Sequence, residues 1–140
     1  MKIVIPFEVV TLGEENSYHL LVRGKLNGKP CDLLIDTGAS QTVFDIALIP
    51  ELPKKDQPDI QSSGINAGEM VTGFGIVTRF KLGELKLKDW RVVLMDMNHV
   101  NGIYQRFSSK KISGLIGSDF LLRYNAVINY KKRHLVLRTS

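Results

Sequence analysis

A single cysteine, Cys31, stands among the 140 residues, so no internal disulfide can form. His19, His99 and His134 are too far apart to offer a zinc-ligand spacing. Metal and thiol chemistry are therefore poor candidates, and neither a metal nor a cofactor is expected. No apolar run approaches the ~18 residues of a membrane span, so none is expected. The opening MKIVIPFEVV carries one basic residue, an apolar stretch broken by Pro6 and Glu8, and no small-residue cleavage site. No signal peptide is expected there, which leans the reading toward the cytoplasm. Lys and Arg exceed Asp and Glu by only 19 to 14, for a net charge of +5. The basic residues are scattered apart from Lys131, Lys132 and Arg133 and are not interleaved with aromatics, so that cluster reads as a basic turn and no nucleic-acid partner is expected.

With 44% hydrophobic positions the chain can build one core but not two, and residues 1–140 are read as a single domain. Short runs rich in Val, Ile, Leu and Tyr, punctuated by Gly and Asn, predict an all-β fold with very little helix. Tyr18–Leu26, the Asn27-Gly28 turn and 31–35 predict one hairpin. Residues 80–82, the Gly83-Glu84 turn and the apolar positions from Leu85 to Met95 predict a second, and 126–130 with 134–137 a third. Residues 50–58 read as a polar surface loop. A short helix is expected to begin at Asp119, capped by the Ser118 hydroxyl, and to stop near Tyr124. Cys31 lies in a strand pattern, where a thiol reads as a small core residue.

The most informative segment is Leu33-Leu34-Ile35-Asp36-Thr37-Gly38-Ala39-Ser40. A carboxylate emerging directly from an apolar strand needs hydrogen bonds, a charge partner or a bound proton. Thr37 offers a hydroxyl, and Gly38 lets the backbone approach another group closely. On the triplet alone, an aspartate capping an ordinary strand-to-loop turn explains the pattern equally well. A second segment, Ile112-Ser113-Gly114-Leu115-Ile116-Gly117-Ser118-Asp119-Phe120, begins 76 residues after Asp36.

The two segments, in this order, resemble the two signature elements of the retropepsin-like aspartic protease family. In that family an apolar run leads into Asp-Thr/Ser-Gly-Ala/Ser, and a later pair of apolar residues and a glycine precede a short helix. The resemblance implies a closed acid-protease (pepsin-like) barrel lobe with a flap hairpin and one short C-terminal helix. The flap is expected within 64–73, its tip at Asn66 to Glu69 or, second, at Thr72 to Gly75, and the glycine density at Gly64, Gly68, Gly73 and Gly75 suits a mobile lid.

The resemblance further implies an aspartic endopeptidase whose catalytic residues are Asp36, Thr37 and Gly38. Its chemistry needs two carboxylates, and no other aspartate, Asp32, Asp45, Asp96 or Asp119 included, is followed by Thr-Gly or Ser-Gly. A homodimer with Asp36 of each subunit at a two-fold axis supplies the partner. Strands from the chain ends, Ile3 to Ile5 and Leu135 to Leu137, are expected to pair across that axis. The substrate is expected to be an extended polypeptide contacting Ala39, Ile65, Asn66, Ala67, Gly68 and Ile116, with Val43 a further liner. Where retroviral members carry a charged residue after the catalytic motif, this chain has Ser40 and Gln41. Where they carry an arginine after the second glycine, it has Ser118, so a possible ion pair is missing. The competing reading keeps the fold without the reaction, as a peptide-binding or interaction module.

Overall fold

Positive φ angles at Asn27 (50°) and Gly28 (84°) are those a two-residue hairpin turn with right-handed strand twist demands. They join β3 (Tyr18–Leu26) to β4 (Lys29–Ile35) in register from Leu20 opposite Ile35 to Leu26 opposite Lys29. Gly83, at φ 59°, turns β6 (Val71–Leu82) into β7 (Leu85–Met95). Arg133, at φ 55°, precedes β10 (His134–Arg138), which pairs with β9 (Val127–Asn129). These are the three hairpins that the turn residues predict. The computed structural model describes residues 1–11, 17–56, 71–107 and 109–139. Among them no helix is long and apolar enough to cross a membrane.

β5 (Val43–Asp45) and β8 (Ile112–Ile116) complete a ring of hydrogen-bonded neighbours, β3, β4, β8, β5, β7 and β6. β6 returns to pair with β3 at Lys25 and Leu26, so six strands close on themselves, and β2 (Glu8–Thr11) pairs with the Tyr18–Leu21 part of that same edge of β3. Closure needs a close approach. A Cβ at Gly24 would lie 2.8 Å from the Phe80 ring and 2.9 Å from the Lys81 carbonyl oxygen, so only glycine fits where β3 meets β6. Gly75, expected to help a lid move, does something different. It is buried in β6, and a Cβ there would meet Ile49 at 2.7 Å and the Pro50 carbonyl at 2.9 Å. The loop at 50–52 docks against it, with the Leu52 N–H donating to the Phe74 carbonyl at 2.8 Å.

The uninterrupted apolar runs in β4 and β7 have a physical cause, which is burial on both faces. Leu33, Val92 and Leu94 point into the barrel with Val22, Phe44, Phe80 and Ile116. Their neighbours Leu34, Val93 and Met95 point outward and join Leu21, Val43, Ile112 and Tyr104 in a second core. That outer core is covered by α1 (Asn98–Phe107), a helix absent from the sequence reading, which expected one short helix. With Asn98 and Asn101 in its first half and Gly102 at its centre, α1 has weak intrinsic propensity. Tertiary bonds hold it instead. The buried Asn101 donates from Nδ2 to the Ile112 carbonyl (3.0 Å) and accepts from the Ile112 N–H (2.6 Å), pairing with β8 as a strand would.

Below the barrel, β1 (Lys2–Pro6), β10 and β9 form a separate three-stranded sheet in that order. The expectation that Ile3 to Ile5 and Leu135 to Leu137 pair across a two-fold axis is corrected here. They pair with each other in one chain, Ile3 opposite Leu137 and Ile5 opposite Leu135. The inward side chains of both strands are buried in the barrel core, which selects this register. With β1 on one side and β9 on the other, β10 has no free edge to offer a partner.

Two glycine replacements should act with opposite signs in urea melts. Gly24→Ala is expected to cost about 1–3 kcal/mol by forcing Cβ against Phe80 and β6. Gly102→Ala, whose Cβ would meet nothing within 4 Å, should stabilise by about 0.5–1 kcal/mol through helix propensity alone.

Candidate active site

β8 runs parallel to β4, with Leu34 opposite Leu115 and Ile35 opposite Ile116, so the two strands end side by side. As the chain leaves β4, the Asp36 N–H donates to the Ile116 carbonyl at 2.9 Å. The backbone then folds back: the Ala39 N–H donates to the Asp36 carbonyl at 3.1 Å, closing a four-residue turn. Inside that turn the Gly38 N–H donates to Asp36 Oδ1 at 3.0 Å. The carboxylate is thus half-buried and aimed by its own loop, with Thr37 and Gly38 exposed beside it.

The second segment grips this turn from the other side. A Cβ at Gly117 would stand 2.6–2.8 Å from backbone atoms of Gln41 and Ala39, which is why a glycine follows the two apolar residues. The next N–H, of Ser118, donates to the Ala39 carbonyl at 2.8 Å, and the Ser118 hydroxyl donates to the Thr37 carbonyl at 2.9 Å. The sequence reading made that hydroxyl a helix cap. In the fold, α2 (Ser118–Arg123) begins after Gly117 without any side-chain cap, and Ser118 bonds across to the turn. Asp119 sits in the first turn of α2, as expected. Its Oδ1 accepts from the Phe120 N–H and from the Thr42 hydroxyl, both at 2.8 Å, and Thr42 in turn accepts from the Gly117 N–H at 3.1 Å. Two neutral-donor links therefore tie the loop to α2 where an arginine-based ion pair is missing. Thr42 was not singled out by sequence reasoning: it and Asp119 are 77 positions apart, and no local pattern connects them.

Asp32, Asp45 and Asp96 are engaged elsewhere. Asp32 forms an ion pair with Arg23 at 3.0 Å on the barrel exterior. Asp45 Oδ1 accepts from the Ala47 N–H (3.1 Å) and Asp96 Oδ1 from the Asn98 N–H (2.9 Å), each closing a local turn. Burial pushes the Cys31 thiol up to about 11, so it stays protonated near neutral pH and behaves as core.

Ile116, expected to line a substrate pocket, is corrected: its side chain is fully buried in the barrel core, and so is that of Val43 in the outer core. What Ile116 contributes is its carbonyl, which holds Asp36. Ala39 is half-buried beside the carboxylate. Ile65, Asn66, Ala67 and Gly68, with the flap tip expected at Asn66 to Glu69, lie outside the described residues. Next to the loop opens a cleft of about 560 Å³ lined by Thr37, Ser118, Leu121, Leu122, Asn125, Ala126 and Ile128. Leu122 projects from α2 at its rim, 80% exposed. The helix itself is anchored by Phe120 and Tyr124, the inner end of an aromatic chain running through Trp90 to Phe44 and Phe80 with ring centroids 4.9–5.7 Å apart.

Three comparisons bear on this arrangement. No curated protein matches the sequence. A retropepsin-like aspartic protease from Rickettsia conorii superposes with a TM-score of 0.49 at 16% identity, over 98% of this chain and 89% of its own. The retroviral protease-like domain of Ddi1 from Leishmania major superposes with a TM-score of 0.54, also at 16% identity, over 87% of this chain and 90% of its own, and this likeness shows the fold. A family model described as aspartyl protease matches residues 22–120, from within β3 to the start of α2, and so spans both signature segments. The chain belongs to the aspartyl protease family.

Proposed function

We propose that the protein is an aspartic endopeptidase, active as a homodimer in which two Asp36 side chains share one site. The observation that carries this reading is the Asp36 turn itself: a half-buried carboxylate held by the Gly38 N–H, in a loop clamped through Ile116 and Ser118. A fixed carboxylate at a strand end is what general acid–base hydrolysis requires, and a second one must stand beside it. Asp32, Asp45, Asp96 and Asp119 are committed to other contacts, and no other aspartate is followed by Thr-Gly or Ser-Gly, so a second copy of Asp36 is the simplest source.

Two like charges a few ångströms apart cannot both ionise cheaply, so the pair would hold one proton. The ionised carboxylate takes a proton from water as its oxygen attacks the peptide carbonyl. The protonated one gives its proton to the carbonyl oxygen. Collapse of the tetrahedral intermediate then returns a proton to the leaving nitrogen and breaks the C–N bond. An extended polypeptide passing Ala39 fits a site built at strand ends.

The free edges in the lower sheet suggest how two copies meet. β10 is paired on both sides, so only β1 and β9 can accept a strand. Of these, β9 is the one whose Ile128, with the preceding Ala126, shares the cleft with Thr37. A two-fold axis beside Thr37 would set β9 against its own copy and cover Leu122 and Val127, which are 80% and 57% exposed in one chain.

Three outcomes test the reading. Asp36→Asn should abolish cleavage of an unfolded protein substrate at mildly acidic pH while sedimenting like wild type. A monomeric, inactive wild type would instead favour the interaction-module reading. Leu122→Glu should keep the wild-type melting curve but shift sedimentation toward monomer and lower activity in a concentration-dependent way. Thr42→Val, which strips a buried acceptor from the Gly117 N–H and a donor from Asp119, should cost about 1–3 kcal/mol. Thr42→Ser, which keeps the hydroxyl that makes both bonds, should retain most of the wild-type stability.

A further inference from the structure

The barrel carries a second feature that the catalytic reading does not use. On its exterior, strand register sets cations directly opposite cations. Lys25 faces Lys81 across β3 and β6, Lys81 faces Lys86 across β6 and β7, and one pleat further on Arg79 faces Lys88. All five side chains are exposed. None belongs to the ion pairs found among the described residues, which are Arg23 with Asp32 and Lys110 with Glu8. The acids closest in sequence, Glu84 in the β6–β7 turn and Asp89 after Lys88, lie at the margins, and Asp32 is held by Arg23.

Like charges opposite one another weaken a sheet. Lysines do protect open sheet edges, but that explanation fails here. β3, β6 and β7 are all interior members of the closed ring. A hollow lined by Arg23, Lys25, Pro30 and Lys81 opens at the head of the ladder. Lys25 stands opposite Pro30, six residues before Asp36 along β4, so this face lies about 20 Å from the catalytic carboxylate.

We infer that this ladder is a docking surface for an extended acidic polypeptide segment, separate from the catalytic site. The spacing specifies the partner. Arg79 and Lys81 on β6, and Lys86 and Lys88 on β7, are two residues apart, about 6.7 Å, which is also the repeat of alternate side chains in an extended peptide. A segment laid along the two strands with Asp or Glu at every second position sets each carboxylate between a pair of cations. The face has no exposed aromatic on which bases could stack, and no helix to enter a groove, so nucleic acid is the poorer match. None of the large exposed apolar side chains, Leu122, Val127, Tyr130 and Val4 among them, belongs to β6, β7 or the Lys25 end of β3, so an anionic membrane would find charge on these strands without an anchor.

The test uses the full chain carrying Asp36→Asn, so that binding is read independently of proteolysis. The probe is a fluorescent peptide alternating glutamate and serine, followed by anisotropy at low salt. Lys81→Gln with Lys86→Gln should weaken binding by roughly tenfold or more and flatten its salt dependence. Lys131→Gln with Lys132→Gln, which removes the same charge from the β9–β10 turn, should leave it near the parent value. The first pair should also raise the melting temperature by roughly 1–3 °C as repulsion is relieved, which excludes unfolding as the cause of lost binding. Equal loss from both pairs would reduce the effect to net charge and overturn the inference. So would absence of peptide binding, or tighter binding of a single-stranded oligonucleotide or of phosphatidylserine vesicles through the same lysines.

Discussion

The chain must leave β4 abruptly at Asp36, and the polar groups of the turn that follows have to be satisfied against a neighbouring element. That constraint organises the molecule. β8, running parallel to β4, presents the Ile116 carbonyl to the Asp36 N–H. Gly117 lets the backbone come close enough for Ser118 to bind both the Thr37 and Ala39 carbonyls. A parallel neighbour cannot be supplied by a hairpin. It needs a long crossover, and most of the chain between residues 36 and 112 is that crossover.

Threading β8 into the ring has a cost in exposed apolar surface, because strands central to such a fold are buried on both faces. The outer face of β4, β5 and β7 is covered by α1, and the helix is fastened to β8 by Asn101 rather than by its own propensity. On the inner side, the aromatic chain from Phe44 and Phe80 through Trp90 to Phe120 and Tyr124 couples the barrel core to α2. The helix that grips the Asp36 turn is therefore held by the same packing that stabilises the barrel.

The lower sheet and the barrel exterior divide the surface by chemistry. Around the Asp36 turn the large exposed side chains include the apolar Leu122 and Val127, beside a cleft containing Thr37. At the other end of β4 they are cationic and opposed in register. Because β10 is paired on both sides and β9 is the free edge that shares the cleft with Thr37, the cross-axis contact on the proposed reading falls to β9 and α2. The two faces can then be engaged by different partners without competing for the same residues.

Local chemistry was legible from the residues alone. Asn27-Gly28 and Gly83 specify turns by their tolerance of positive φ. Alternation marks the strands, and the apolar run ending in Asp36-Thr37-Gly38, with its later companion at Ile116-Gly117, points to the family to which the chain belongs. What lay beyond a linear reading shares one cause: it depends on contacts between residues far apart in the chain. The hydroxyl of Ser118 could cap a helix or reach a carbonyl 81 positions away, and only the approach of the two segments chose the second. Ile116 reads as a pocket residue or a core residue until β8 is placed between β4 and β5, where its side chain has nowhere to go but inward. α1 has too little helix propensity to announce itself, since a buried face from other strands calls it into being. The terminal strands could pair with a neighbour or with each other, and the barrel core beneath them decided by burying Ile3, Ile5, Leu135 and Leu137 together.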